Sequence, residues 1–422
     1  TAEWEEESLD LHTDSIFDPA LKGATESRLL ASEGDLSTGK AEAVKHIETV
    51  FEDPSIAHSP IENHTATAVM KDGRMTVWAS CQTPYPTKED IAEELGMDLN
   101  DVHLLPIFVG GGFGGKIYNP QAVEAARLAK LTGKPVQVVY TREEEFLYDR
   151  LRPAAAVKVD AGLNSEGRIT YWDYAVHLGG GREAEHFYEI PHSRTRALSA
   201  PRGTMAHPFY TGAWRAPSVN TNTFARESQM DMLAVAAGVD PVEFRLKHLE
   251  HDPRMANVVK KGAERFGWTP ATGPSGRGVG FAVGIDVGSY VVVYVDVEVD
   301  KATGHVQVKR AVCCQDMGMV VNPQGAILQA EGSMLMGLGY ALREEIQFES
   351  RKMLTRNFDT YSITQFNMAP EMEVLLVGTD HDVPYGGGEP PIVVMGGAVA
   401  NAVFDATGAR ILRQPLSPER VK

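Results

Sequence analysis

The sequence predicts an α+β fold in which mixed sheets are covered by packed helices. Two patterns carry this reading. Alternating runs of β-branched and aromatic residues come in hairpin-like pairs, and longer apolar runs with helical spacing and recognisable caps lie between them. A third observation gives the chain a centre. Gly110-Gly111-Gly112-Phe113-Gly114-Gly115-Lys116 places five glycines in seven positions between a strand-like and a helix-like segment.

Residues 1–53 are acidic and loosely patterned, and read as an N-terminal extension or the tail of a preceding domain, with Trp4-Glu5-Glu6-Glu7-Ser8-Leu9 as the end of a strand whose partners lie elsewhere. Alternation over residues 66–80, around Lys71-Asp72-Gly73-Arg74, predicts a hairpin. Thr87-Lys88-Glu89-Asp90 predicts the capped start of a short helix that ends before Gly96. Residues 102–109 form the strand entering the glycine loop, and Asn119-Pro120 supplies the N-cap and first turn of a helix over residues 121–131 that stops at Gly133. Residues 135–140 are a strand, and Glu143-Glu144-Glu145 starts an exposed segment. Residues 155–161 and 169–176 pair as a second hairpin across the turn at 164–167. A long polar connection then leads to a helix over 220–237, ended by Gly238 and restarted at Asp240-Pro241. The stretch 262–280, rich in Gly, Pro and Ser, reads as a linker between two regions, 54–261 and 281–422. In the second region, residues 289–299 and 305–313 are strands and 324–342 is an apolar helix. Its Gly332, Gly337 and Gly339 imply close packing, expected against a segment outside this chain. Residues 371–377 are another strand, and Pro390 opens a last helix through Ala406 after Gly386-Gly387-Gly388-Glu389.

Composition narrows the function classes. A chain of 422 residues, 43% apolar and 23% charged, suits a globular protein of two or three domains. Its net charge of -17 opposes nucleic-acid binding, so any anionic ligand must be held by backbone dipoles and a few basic side chains. Cys81, Cys313 and Cys314 cannot build a disulfide framework or ligate an iron–sulfur cluster. No apolar run has the length of a membrane span. The start at Thr1-Ala2-Glu3-Trp4, without methionine or signal peptide, is expected of a processed product or a piece of something longer.

Bare backbone amides in the glycine loop, followed by a helix N-terminus, suggest a cradle for an anionic ligand. Three readings compete. The loop satisfies G-x-x-x-x-G-K from Gly110 to Lys116, yet Ile117 stands where a nucleotide-binding P-loop needs a hydroxyl for magnesium. It also satisfies G-x-G-x-x-G through Gly110, Gly112 and Gly115, although the acidic residues nearest the expected distance are Glu143, Glu144 and Glu145. The plainest alternative is a glycine-rich turn without a ligand.

Several further segments follow the loop in one order. They are Gly212-Ala213-Trp214-Arg215-Ala216-Pro217, Asp316-Met317-Gly318 with Asn322-Pro323, Gln329-Ala330-Glu331-Gly332 with Gly337-Leu338-Gly339, and Gly388-Glu389-Pro390-Pro391. The series resembles the molybdenum-binding large subunit of the xanthine oxidase family over nearly the whole chain. Within that family it is most similar to the isoquinoline 1-oxidoreductase beta-subunit type, because the strand pair from Ser289 leads straight into Asp316 and Gln329. That order implies that the other molybdopterin loop lies in an upstream part of the large subunit, so that the present chain is a C-terminal part or a split-gene product.

The resemblance implies a hydroxylase that oxidises an aldehyde or N-heteroaromatic carbon with oxygen from water. It implies molybdopterin cytosine dinucleotide with molybdenum as cofactor, and an iron–sulfur small subunit as electron acceptor. It assigns catalysis to Glu389, as general base, and to Arg215, which orients substrate or stabilises charge. It assigns cofactor contacts to Gly111, Gly112, Phe113, Gly114, Gln329 and Gly388, and no protein side chain to the metal. Two departures stand out. Ile117 replaces the glutamate of purine-oxidising relatives, which favours an apolar aldehyde or simple heterocycle, and Ile56, two residues before His58, replaces a glutamine that bonds the metal's oxo ligand. Pro60 and Glu62 keep the family register, Glu62 in a structural role. A non-catalytic, truncated relative is the remaining alternative.

Overall fold

The computed structural model describes residues 11–17, 26–200, 207–270, 273–378 and 382–422. The strand expected at Trp4 to Leu9 lies outside the described residues. Strands β1 (Glu26–Glu33) and β2 (Lys45–Asp53) flank a short helix, α1 (Leu36–Glu42). The hairpin β3 (Thr65–Lys71) and β4 (Arg74–Ala79) turns at Asp72-Gly73, and helix α2 (Pro84–Leu95) leads to β5 (Val102–Pro106). After the glycine loop come α3 (Pro120–Thr132), β6 (Val136–Val139) and α4 (Arg142–Tyr148). These strands make a mixed sheet in the order β5-β4-β3-β6, with β4 and β5 parallel. Its inner face, Ala66, Ala68, Met75, Val77 and Ala79, packs on Ala122, Ala125, Ala126 and Ala129. Small residues at i, i+3, i+4 and i+7 let α3 lie close against the sheet.

Strands β7 (Ala155–Leu163), β8 (Ile169–His177) and β9 (Ser193–Ser199) join β1 and β2 in a five-stranded sheet, order β1-β9-β8-β7-β2. Residues 26–53 are thus edge strands of a sheet completed by residues 155–199, with β2 running from Lys45 opposite Leu163 to Asp53 opposite Ala155. An edge strand such as β1 exposes most of its side chains, which is why its sequence shows little alternation. The polar connection also holds a strand, β9, because its arginines reach Asp173 on the neighbouring strand: Arg194 Nη2 donates to Asp173 at 2.7 Å.

Three helices follow: α5 (Val219–Ala237), α6 (Pro241–Lys247) and α7 (Pro253–Phe266). Asp240 caps α6, accepting from Val242 N at 2.8 Å and Glu243 N at 3.1 Å. Strands β10 (Arg277–Asp286), β11 (Ser289–Val299) and β12 (Val306–Asp316) are antiparallel neighbours. Helix α8 (Pro323–Leu342), a small ribbon of β13 (Phe348–Glu349) and β14 (Lys352–Met353), strand β15 (Glu371–Leu376) parallel to β12, and helices α9 (Pro390–Val393) and α10 (Met395–Thr407) complete the site-bearing part.

Four expectations change. The stretch 262–280 is not an open connection, since Gly262 lies inside α7 and residues 277–280 begin β10. Gly278 and Gly280 are there for contact: a Cβ on them would stand 2.3 Å from Ala406 N and 2.2 Å from Ala402 N. Helix α10 therefore rests directly on the β10 backbone. The helix α2 begins at Pro84, after Thr83, and Thr87 sits one turn inside, its hydroxyl donating to Thr83 O at 2.8 Å. The run Glu143-Glu144-Glu145 is the first turn of α4, closed by a capping box between Thr141 and Glu144, and Glu145 is buried. The α8 glycines pack mainly within the chain. A Cβ at Gly337 would meet Met395 Cγ at 2.4 Å and one at Gly339 would meet Glu344, while Gly332 faces open space. Met334 and Leu338, on the same helix, are in the core.

Candidate active site

The parallel pairing of β4 with β5 brings their C-terminal ends to one edge, so Gln82 and the glycine loop are neighbours there. The loop folds back on its own chain. Glu62 Oε2 accepts from Gly110 N at 2.6 Å, Ser80 Oγ at 2.7 Å and Lys116 Nζ at 2.7 Å. Partial burial raises the Glu62 carboxyl, but these donors hold it below its ordinary value. Gly114 N donates to Gln82 Oε1 at 3.1 Å, and Gly115 N to Gly112 O at 2.8 Å. The glycines admit close neighbours: a Cβ at Gly112 would lie 2.4 Å from Gln82 Oε1, and one at Gly114 2.0 Å from Ala213 O. A 3-10 turn (Gly115–Ile117) separates the loop from α3, so the loop does not run straight into the α3 N-terminus. The amides of Gly111, Gly112 and Phe113 take no partner among the described residues.

A cleft of about 290 Å³ opens beside this loop, lined by Gln82, Phe113, Gly114, Ile117, Ala213, Trp214, Arg215, Pro217, Gln329, Gly388 and Glu389. Five separate segments meet in it. Phe113 O accepts from Arg215 N at 2.9 Å. Arg215 Nε donates to Gly388 O at 3.1 Å, and Nη2 donates to Ser333 Oγ at 2.8 Å and Gln329 Oε1 at 3.2 Å. Burial draws the Arg215 guanidinium below its ordinary pKa, and Glu389 partly restores it. Glu389 is half-buried at the start of α9. Its Oε1 accepts from Ala216 N at 3.1 Å and its Oε2 lies 3.6 Å from Arg182 Nη2.

A wider hollow of about 830 Å³ lies behind the loop, but Asp90, Glu93, Glu94 and Glu124 line it, and none of the residues singled out above as cofactor-binding or catalytic does. An anionic cofactor is disfavoured there by like charge. Lys116, the lysine a P-loop would turn to phosphate, is fully buried on Glu62. That counts against the nucleotide-binding alternative.

Behind the cleft, Ala57-His58 is clasped to Ala213-Trp214. Trp214 Nε1 donates to Ala57 O at 3.1 Å, and His58 Nε2 lies 2.7 Å from Ala213 O. His58 Nδ1 lies 2.7 Å from Asp149 Oδ1, so both ring nitrogens face acceptors and both must carry protons. Burial opposes that charge, yet Asp149 overrides it and raises His58 above its ordinary value. His64 repeats the arrangement with Glu145 at 2.9 Å and Tyr118 O at 3.1 Å.

Residues 22–249 match a family model described as a molybdopterin cofactor-binding domain, and residues 229–370 match a second model with that description. The chain belongs to the molybdenum-binding subunits of the xanthine oxidase family. This molybdenum-binding chain is 31% identical, over 94% of its length, to a nicotinate dehydrogenase subunit of Pseudomonas putida, of which it covers 36%. It is 29% identical to the isoquinoline 1-oxidoreductase beta chain of Brevundimonas diminuta, with 82% of this chain and 47% of that protein covered. Solved structures share its fold. The aldehyde oxidoreductase of Desulfovibrio gigas matches with a TM-score of 0.81 at 19% identity, over 94% of this chain and 63% of that one. Quinoline 2-oxidoreductase of Pseudomonas putida 86 matches with a TM-score of 0.82 at 14% identity, over 96% and 80%. The chain spans 36% to 52% of the length of the first curated relatives.

Of the positions that the resemblance assigns to catalysis or cofactor contact, Glu389, Gly388, Arg215, Gln329, Phe113 and Gly114 line the cleft, whereas Gly111 and Gly112 belong to the same loop but are not part of its lining. Ile117 lines the cleft as well, and Ile56 is wholly buried in the main core. Besides Gln329, a second side-chain amide, Gln82, reaches the cleft. Sequence reasoning missed Gln82, Ser333, and Arg182 with its ion-pair partner Asp286 beside Glu389. Ser333 was findable, four residues after Gln329 on one helix face. Gln82 required the β4–β5 pairing, and Arg182 with Asp286 required the tertiary fold. Among the described residues no group of His, Cys, Asp and Glu is placed to hold a metal ion, and no helix is long and apolar enough to cross a membrane.

Proposed function

We propose that this chain forms the catalytic part of a molybdenum hydroxylase large subunit. The reaction converts the C–H of an aldehyde or of an electron-poor N-heteroaromatic carbon into C–OH, with oxygen from water and release of two electrons and two protons. The observation that carries the proposal is the convergence of Glu389, Arg215, Gln329 and Phe113-Gly114 on one cleft. The Gly111, Gly112 and Phe113 amides and the Gln329 amide are suited to an anionic pterin cofactor. When bound, the molybdenum cofactor supplies the activated oxygen and takes up the electron pair.

Glu389 Oε2 takes the proton of the attacking oxygen, while the Ala216 amide fixes the other carboxylate oxygen. Arg215 holds the Gly388 carbonyl and so the loop that carries the base. Phe113, Ile117, Trp214 and Pro217 give the cleft an apolar wall suited to a planar, uncharged substrate. The cofactor is taken to be molybdopterin cytosine dinucleotide, held between regions 54–261 and 281–422 with the remaining part of the large subunit. Electrons pass to an iron–sulfur small subunit, since Cys81, Cys313 and Cys314 of this chain are buried singly or as an adjacent pair.

The test is to produce the chain with its partner subunits in a host that makes the cofactor. Molybdenum content and dye-linked oxidation of an aromatic aldehyde and of an N-heteroaromatic base are then measured. Stoichiometric molybdenum with turnover supports the reading. Molybdenum without turnover of either substrate class removes the catalytic part, and a preparation free of molybdenum removes the cofactor part.

A further inference from the structure

A second pair of charges stands behind Glu389. Arg182, in the connection between β8 and β9, directs Nη2 to Asp286 Oδ1 and lies 3.6 Å from Glu389 Oε2. The Arg182 backbone is fixed, for its carbonyl accepts from Asn222 Nδ2 at 2.9 Å, and buried Asn222 is held by Tyr174 Oη at 2.9 Å. Asp286 ends β10, fully buried, and its Oδ2 has no hydrogen-bond partner among the described residues. The turn it opens supports the loop before the base. Gly386 N donates to Val287 O at 3.2 Å, and Ser289 Oγ donates to Gly386 O at 2.6 Å. A Cβ at Gly386 would stand 2.1 Å from Val287 Cγ2, so turn and loop are in direct contact.

We infer that Arg182, anchored by Asp286, is a positioning pair for the Glu389 carboxylate, fixing its orientation and its readiness to take a proton. The inference rests on the reading of Glu389 as the proton acceptor. One guanidinium between two carboxylates cannot fully neutralise both. The charged groups that face the pair are Glu389 from the 386–389 loop and Glu183 beside Arg182, while Arg215 acts on Glu389 from across the cleft. Burial pushes the Asp286 carboxyl up to about 6, with Arg182 opposing and Glu389 and Glu183 reinforcing the rise. When Asp286 is protonated, the whole Arg182 charge acts on Glu389. When Asp286 is ionised, that charge is shared. The protonation of Asp286 therefore sets how much of the Arg182 charge is directed at the base.

The experiment compares Arg182→Met, Arg182→Lys and Asp286→Asn with the wild type in the assembled enzyme, reading kcat, KM and molybdenum content against pH. Arg182→Met moves the acid limb of kcat/KM up by about one pH unit and lowers kcat near neutrality about tenfold, with KM and molybdenum within about twofold. Arg182→Lys restores most of that shift. Asp286→Asn removes the competing carboxylate and moves the limb down. A purely structural loosening would not shift the limb in opposite directions. A second readout needs no turnover: melting temperature of the full chain against pH. Folded Asp286 binds its proton more tightly than the unfolded chain, so wild-type stability falls as pH rises from about 4 to about 6, and Asp286→Asn lacks that fall. Limb shifts in the same direction, no shifts, or an unchanged melting profile in Asp286→Asn would overturn the inference. A wild-type enzyme with molybdenum but no turnover would instead strike the function, leaving the melting profile to judge the pair.

Discussion

Arg215 donates from Nε at 3.1 Å to the carbonyl of Gly388, 173 residues further along the chain and immediately before Glu389. Its other donors reach Ser333 and Gln329 on α8, and its own amide reaches Phe113 O. One planar guanidinium thus ties the glycine loop, a helix and the base loop together, which a lysine point charge cannot do. Arg215→Lys should lower kcat at least about tenfold, and Arg215→Met should also cost about 1–3 kcal/mol by leaving the Gly388 carbonyl with only the 3.3 Å bond from the Ser333 hydroxyl. Steady-state kinetics and thermal denaturation measure the two effects separately.

Glu389→Gln keeps the side-chain shape and an oxygen for the Ala216 amide, but it cannot accept a proton. Turnover should fall by at least about a hundredfold while molybdenum stays near the wild-type level. Ordinary activity in the variant would place the base elsewhere.

His58 gives a pH signature of the same sign as that of Asp286, but at higher pH. Its folded pKa is raised, so the stability it contributes is fully present below its unfolded value and is lost as pH rises through the folded one. Melting temperature should drop on the alkaline side, and His58→Gln should abolish the drop. His58→Ala should cost about 3–5 kcal/mol, because it leaves Asp149 buried without its partner.

Two neighbouring glycines should respond differently. At Gly114, φ is 111° and a Cβ would strike the Ala213 carbonyl, which is backbone and pinned by His58. Gly114→Ala should cost at least about 1–3 kcal/mol and abolish molybdenum loading. At Gly112 the obstacle is the flexible end of Gln82, so Gly112→Val should fold with nearly unchanged melting temperature and load less molybdenum. Metal analysis and melting curves on the same preparations distinguish the cases.

Local pattern carried most strands and helices because caps and periodicity are local signals. The hairpins at β3–β4 and β7–β8, and helices α3, α5 and α8, fall within a residue or two of their expected bounds. Composition set the bounds of 262–280 too wide: residues 267–276 connect α7 to β10, whereas Gly278 and Gly280 lie in a strand that a helix touches. Motif order pointed to Arg215, Gln329 and Glu389, but not to what they touch. Arg182 and Asp286 carry no local mark at all. They matter only because β10 ends where the β8–β9 connection passes, a relation set by packing across more than one sheet.

The bedding of α10 on Gly278 and Gly280 divides the chain into positions that a protein engineer must leave alone and positions open to exchange. Glu389 is only six residues ahead of Met395, where α10 begins, so a side chain added beneath α10 would lift the helix and carry the base out of register without touching the cleft. Ile117 and Pro217, by contrast, line the cleft half-buried and carry none of the side-chain bonds that brace it. Libraries aimed at a new substrate belong at those two positions, with the strand glycines held invariant as strictly as the base itself.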